Sequence, residues 1–426
     1  MLNFSNANRI FLLFLPISLI LGNFALNLNI ILINLVFIIL LFDKKSNEFN
    51  FVNFFFKKKI LINILAIVLI LFILNLTYSK SYFLTLKGIL GVLKNFICIL
   101  ALSVFFKTEK NFQIFLKMYT VIMLFLILDL IFQFLTGKDI FGYEFFKDNN
   151  DRLSGFFGYE YVAGAYISKS LFLIFLLNLG FIFQNKIKNI FNVIFIILII
   201  IILFLVGERA AIVITIFSSF IYAFLIFDTL KSKIISLTFF SFLIVIITYF
   251  ISINFQKKNI FLKTKEQFGI ENNIYDAKIV FNHIGNSVYF NMFNTSLEIF
   301  RNNKVFGSGL RTFRFICQNT TIRDGENKKK GTCSTHPHNI YLEILSELGL
   351  ILFSIFIFFH LFIFKVIITN LSQNKRFLLP LLCMGIVLFF PLQTTGSYFS
   401  SWNSFFYVIF YSIYLKYISR DIIKKT

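Results

Sequence analysis

Charge is scarce in this chain. Aspartate, glutamate, lysine and arginine make up 14% of its 426 residues against 58% hydrophobic residues, and the mean hydropathy is +0.81. A water-facing domain cannot carry that much apolar surface, so a soluble enzyme is excluded and a polytopic membrane protein remains. Paired carboxylates are missing as well. Asp276, Asp324, Glu266, Glu271, Glu298 and Glu326 are scattered, with no closely spaced pair of the kind that holds Mg²⁺ on a diphosphate. No metal and no cofactor is therefore expected. A cleavage site of small residues is lacking after the first apolar run, so Arg9 and its successors read as a helix rather than a signal peptide. Tryptophan occurs once against 64 phenylalanines, a ratio that reflects the codon bias of an AT-rich genome and carries no functional reading.

Long apolar runs, by contrast, recur throughout. Segments at 10–26, 27–42, 60–78, 83–106, 114–136, 161–183, 188–206, 210–228, 233–253, 340–368, 376–393 and 402–418 are candidate spans. They predict an all-α polytopic membrane protein with about twelve transmembrane helices crossing a hydrocarbon core of about 30 Å. About nine helices fall in 1–253, one large outward loop in 254–338, and about three helices in 339–426. The first two runs also fit a re-entrant pair. Lys44, Lys45, Lys57, Lys58, Lys59, Lys107, Lys110, Lys186, Lys188, Lys231, Lys233, Lys375, Arg376, Arg420, Lys424 and Lys425 fall in alternate connections or at the C-terminus, which places both termini on the cytoplasmic side.

The net charge of +21 divides accordingly. Cytoplasmic lysines orient helices and contact anionic membrane lipid, so no nucleic-acid partner is implied. The outward loop is also basic, from Lys257 to Lys330. Either an anionic ligand binds there, or a long translocated loop simply escapes the charge rule. Within it, Tyr289, Met292, Phe293, Leu297 and Phe300 recur at helical spacing and predict an amphipathic packing helix over Val288–Asn302.

The stretch STHPHNIYLEILSELGL, Ser334 to Leu350, brings this loop back to the membrane. Pro337 and Asn339 place His338 at a helix start, where the partial positive charge keeps imidazole neutral and able to accept a proton. His338 is thus the candidate catalytic base, with His336 and Asn339 as accessory residues. Glu343 and Glu347 follow on one helix face. Either they enter the outer bilayer and need partners, or Ile340–Leu348 is an interfacial stub and Leu350–Ile368 alone spans. Arg209 in LVGERAAIV is a phosphate-binding candidate or pairs with Glu208 or a loop carboxylate, and Arg152 in DRLSGFFGYE opens a glycine-punctuated stretch. Asp129 in an apolar run is a helix contact or a lining residue. Cys98 and Cys383 lie in spans, whereas Cys317 and Cys333 bracket a polar segment and can pair in an oxidising compartment.

HPHNIYLEILSELGL, with RLSGFFGYEYVAGAYIS, GERAA and SLEIFRNNKVFGSGLRTF, resembles the O-antigen ligase and polymerase family of bacterial envelope glycosyltransferases, over roughly Arg152 to Leu352. The resemblance implies a class C-like membrane glycosyltransferase fold in the bacterial inner membrane with a periplasmic loop. It also implies an undecaprenyl diphosphate-linked glycan donor and, for the ligases, lipid A core as acceptor. His338 would match the family's essential histidine, and Arg152 and Arg209 its diphosphate-gripping arginines. A further family arginine expected before the amphipathic helix is missing from FNHIGNSVYFNMF. His283 nearby, or Arg311 or Arg314 beyond the next turn, would have to stand in. A polymerase or a protein O-glycosyltransferase would share this chemistry. A secondary transporter would need paired intramembrane charges in two related halves, which the sequence does not offer.

Overall fold

The structure is a computed structural model describing residues 4–42, 59–144, 152–177, 185–238, 287–324, 327–393 and 396–425, with 241, 242, 245 and 285. His283, most of the 233–253 run and most of the segment 254–286 lie outside the described residues. In chain order the elements are α1 (Phe4–Ile20), α2 (Asn23–Leu41), α3 (Lys59–Thr77), α4 (Tyr82–Lys107), α5 (Glu109–Thr136), α6 (Ala163–Ile174), α7 (Asn185–Val206) and α8 (Arg209–Ile226). They continue as α9 (Val288–Asn302), α10 (Phe313–Ile316), β1 (Thr321–Asp324), β2 (Asn327–Lys330), α11 (Ile340–Thr369), α12 (Lys375–Leu388) and α13 (Ser401–Lys425). Among the described residues, six helices are long and apolar enough to cross a membrane: α2, α4, α5, the 189–206 part of α7, α8 and α11. The chain is a mostly helical membrane protein, with one small hairpin among the described residues.

Helix α2 shows why. Leu26, Ile30, Ile33 and Phe37 are buried at helical spacing, while Leu28, Ile31, Leu35 and Ile39 on its other side are exposed. A helix apolar on both its packed and its open face is at home only in lipid.

The chain forms two compact units, interleaved in sequence. The first comprises 1–107, 267–363 and 391–426. In it α4 packs against α13, α2 and α3, and α1 pairs with α2. Asparagine amides join these helices: Asn29 donates to the Phe11 carbonyl at 3.0 Å and Asn34 to that of Lys94 at 2.8 Å. The second unit comprises 108–266 and 364–390. Here α12 packs on α6 and α8, and α7 lies against α6 and α8. Its polar loop is held from α5: Gln133 Oε1 accepts from the amides of Ser154 and Gly155 at 3.1 and 2.9 Å, and Asp129 Oδ1 from Ile140 at 2.9 Å. Asp129 is thus a buried helix-to-loop contact. The run at 161–183 is described as helix only over Ala163–Ile174, followed by a turn.

Two features of the first unit position the site. Helix α11 is broken at Gly349, whose φ of 76° is left-handed. The stub and the spanning piece are therefore separate, and residues 350–369 still reach about 30 Å at 1.5 Å per residue. The break is held by neighbours. Leu350 donates its amide to Lys304 at 2.8 Å, while the carbonyls of Ser346 and Glu347 accept from Ser308 and Gly309 at 3.0 and 2.9 Å. Asn75 at the end of α3 donates to the carbonyls of Phe306 and Glu347 at 2.6 and 2.8 Å.

The second feature is the hairpin of β1 and β2, which pairs Thr321 with Lys330 and Asp324 with Asn327. Cys317 and Cys333 form a disulfide at its base, with Cα atoms 5.3 Å apart. Helix α9 packs beside it, with Met292, Thr295, Ser296 and Ile299 as its buried positions. Small hydroxyl residues form half of that face because the stub comes close. Ser296 Oγ donates to the Leu342 carbonyl at 2.9 Å and to Ser346 Oγ at 3.0 Å, and Thr295 Oγ1 accepts from the Thr332 amide at 3.0 Å.

Candidate active site

His338 sits in the first unit immediately before α11, and its backbone is left-handed with φ of 56°. For a non-glycine residue this conformation is uncommon and persists only where the surroundings impose it. Asn339 supplies the constraint. Its Oδ1 accepts from the amides of Tyr341 and Leu342 at 3.0 and 3.2 Å, capping α11, while its Nδ2 donates to the Pro391 carbonyl at 2.8 Å. The ring of His338 is half-buried, 4.2 Å from the His336 ring and edge-on to Tyr289 at 5.5 Å. Its Nε2 lies 3.3 Å from Ser334 Oγ. Burial lowers the imidazole's pKa below its ordinary value, so the ring is neutral at neutral pH and one nitrogen has a free lone pair. His336 turns its Nδ1 to Thr335 Oγ1 at 2.9 Å.

One helical turn on, Glu343 is buried and accepts from Ser397 Oγ and, at 2.7 Å, from the Tyr398 amide. Glu347 is buried too. It accepts from the amides of Arg311 and Phe313 at 2.6 and 3.0 Å. The carboxylates that the sequence places near the bilayer thus find partners in neighbouring backbone and hydroxyl groups. Arg311 is half-buried with a left-handed φ of 62°, and Arg314 is exposed. Both arginine charges act on Glu343. The structure therefore gathers Arg311, Arg314, Glu343 and Glu347 in one neighbourhood of the first unit.

Arg152 and Arg209 belong to the second unit. The Leu153 amide donates to the Val206 carbonyl at 3.2 Å, which ties the segment after Arg152 to the end of α7, just before the turn to Arg209. Glu208 lies between these elements. Its Oε2 accepts from the Ala165 amide at the start of α6 at 2.8 Å, and the charges of Arg152 and Lys169 act on it. Burial pushes the Glu208 carboxyl up, and the Arg152 guanidinium pulls it back towards the ionised form. Sequence reasoning offers Glu208 only as a partner of Arg209, and it misses the buried Lys169. A lysine within AYISKSLFLI is the available signal, since a charge inside an apolar run marks a polar partner nearby. Tyr289, expected only as a packing residue, instead faces His338.

Residues 194–357 match the family described as O-antigen ligase. Over that stretch the chain is similar to the O-antigen ligase family. No curated protein matches it. The matched stretch contains Arg209, Arg311, Arg314, Cys317, Cys333, His336, His338, Asn339, Glu343 and Glu347, while Arg152 precedes it. Members of the O-antigen ligase family are glycosyltransferase-like enzymes of ligase or polymerase type, acting on lipid-linked glycans and their acceptors. The family match and the apolar helices together point to a bacterial membrane protein similar to ligase- or polymerase-type glycosyltransferases.

Proposed function

We propose that this protein moves a glycan from undecaprenyl diphosphate to a hydroxyl of lipid A core at the periplasmic face of the inner membrane, without a metal and with inversion at the anomeric carbon. His338 takes the proton from the acceptor hydroxyl, which attacks the anomeric carbon in line as the lipid diphosphate departs. Arg311 and Arg314 on the first unit, and Arg152 and Arg209 on the second, are the phosphate-binding candidates, each pair suited to stabilise the charge that develops on a diphosphate leaving group. In this reading about twelve helices span the membrane, both termini are cytoplasmic and residues 254–338 form the periplasmic loop. The observation that carries it is His338 itself: a half-buried, neutral imidazole on a forced backbone, at the capped start of α11 within the family's matched stretch.

The envelope glycolipid of a deletion strain separates the acceptor classes on a gel. Uncapped lipid A core with accumulating lipid-linked polymer is the expected pattern. Core bearing a single repeat would instead mark a polymerase, and unchanged glycolipid would overturn both readings.

The histidine also sets a pH profile. The base must be neutral to act, so kcat/KM rises as pH climbs through its pKa and then levels. Because burial depresses that pKa, the midpoint of the acid limb is expected below the ordinary histidine value of about 6.5. A midpoint above neutrality, measured with purified enzyme and lipid-linked donor, would contradict the assignment.

A further inference from the structure

The residues 307–313 form a turn whose geometry is set from outside it. Glu347, buried in the stub, spends both carboxylate oxygens on the amides of Arg311 and Phe313, at 2.6 and 3.0 Å. Ser308 and Gly309 bond to the carbonyls of Ser346 and Glu347, so the turn is tied to the stub at both ends. Beneath it, the stem of Arg311 lies on Gly88 of α4, where an added Cβ would meet Arg311 Cγ and Cδ at 3.4 and 3.5 Å. Glu343 is occupied in the same way, by Ser397 and Tyr398. Two carboxylates close to two arginines would ordinarily pair with them. Here, among the described residues, neither guanidinium has an ion pair, because the carboxylates accept from neutral donors instead.

We propose that Glu347 is the positioning residue of a two-arginine phosphoryl clamp, holding Arg311 on the turn and Arg314 just beyond it while leaving both guanidinium groups clear of its own carboxylate. The proposal rests on the reading of these arginines as donor-binding groups. Neutral amides satisfy the carboxylate without consuming a guanidinium, and the left-handed backbone at Arg311 is the conformation those two bonds impose. Two forked cations three residues apart, one half-buried and one exposed, suit the oxygens of a phosphate or pyrophosphate.

The test is steady-state kinetics of the full-length protein in detergent, with undecaprenyl diphosphate-linked glycan varied at fixed acceptor. Glu347→Gln keeps one acceptor oxygen but turns an amide against the second N–H. It is expected to raise donor KM about tenfold and leave kcat within about twofold. An unchanged donor KM overturns the proposal. In an Arg311→Gly, Arg314→Ala background, Glu347→Gln should add nothing further, because it acts through those two side chains. A further tenfold loss there would show that Glu347 acts elsewhere and would likewise overturn it. Should Glu347→Gln fail to fold, Arg311→Gly carries the test, since glycine accepts a φ of 62° without strain. Its donor KM must then rise, and an unchanged value sinks the clamp. Loss of the His338 assignment would show separately, as transfer surviving in a His338→Ala enzyme. Binding of inorganic pyrophosphate by calorimetry, present in the parent and lost in Arg311→Gly, Arg314→Ala, reads the clamp without any turnover.

Discussion

Glycan transfer by a His338→Ala enzyme is expected to fall by on the order of 10²–10⁴-fold, the usual contribution of a positioned general base. The fold should survive the change. Alanine removes a ring that touches Tyr289 and His336 but leaves the cap on α11 intact, because that cap is made by Asn339. The left-handed backbone complicates alanine alone, so His338→Asn is the sharper variant. Asparagine adopts a φ near 56° more readily than most residues and hydrogen-bonds, but it cannot accept a proton at neutral pH. Both variants should therefore lose transfer to the same degree, with melting temperatures close to the parent's. Near-normal turnover by either in a purified assay would remove His338 from the chemistry.

The second large effect is structural. A Cβ on Gly307 would overlap the carbonyl of Glu347 and the amide of Gly349, and the residue also has a left-handed φ of 75°. Gly307→Ala thus combines backbone strain with overpacking against groups that cannot move aside. The expected cost is about 2–5 kcal/mol, enough to remove most folded protein from membranes. Gly91, in the middle of α4, has no atom within 4 Å of an added Cβ. Gly91→Ala should be neutral or stabilising by up to about 1 kcal/mol, since alanine is the better helix former. Equal yields and equal melting temperatures for the two variants would show that the backbone crossing at Gly307 is not tight.

Much of the helical frame is legible in the sequence because each helix is defined by its own residues. The run at 83–106 appears as Tyr82–Lys107 and that at 210–228 as Arg209–Ile226, since apolar length and flanking charge suffice to bound a span. The helix over Val288–Asn302 is equally readable, but its buried face is not. Ser296 and Thr295 face inward because the stub approaches, and nothing in α9 itself announces that neighbour. The break at Gly349 is undecidable from sequence for the same reason. ELGL reads as helix by hydropathy, and the partners that hold it open, Lys304 to Gly309, lie about forty residues away. At the site, residue types nominate the groups suited to chemistry. They do not show that Glu347 bonds to amides rather than to a guanidinium, nor that Glu208 joins Arg152 and Lys169. The interleaving of the two units is likewise a matter of long-range packing, which period and composition do not encode.

The fracture in α11 has a mechanical consequence. Lys304, Ser308 and Gly309 take up the Leu350 amide and the Ser346 and Glu347 carbonyls freed there, and these bonds rivet the short outer piece to the chain segment beside it. Any tilt of that piece about Gly349 carries the segment along as one rigid arm. Glu343, Glu347 and Arg311 then change height relative to the lipid headgroups while the spacing among them stays fixed.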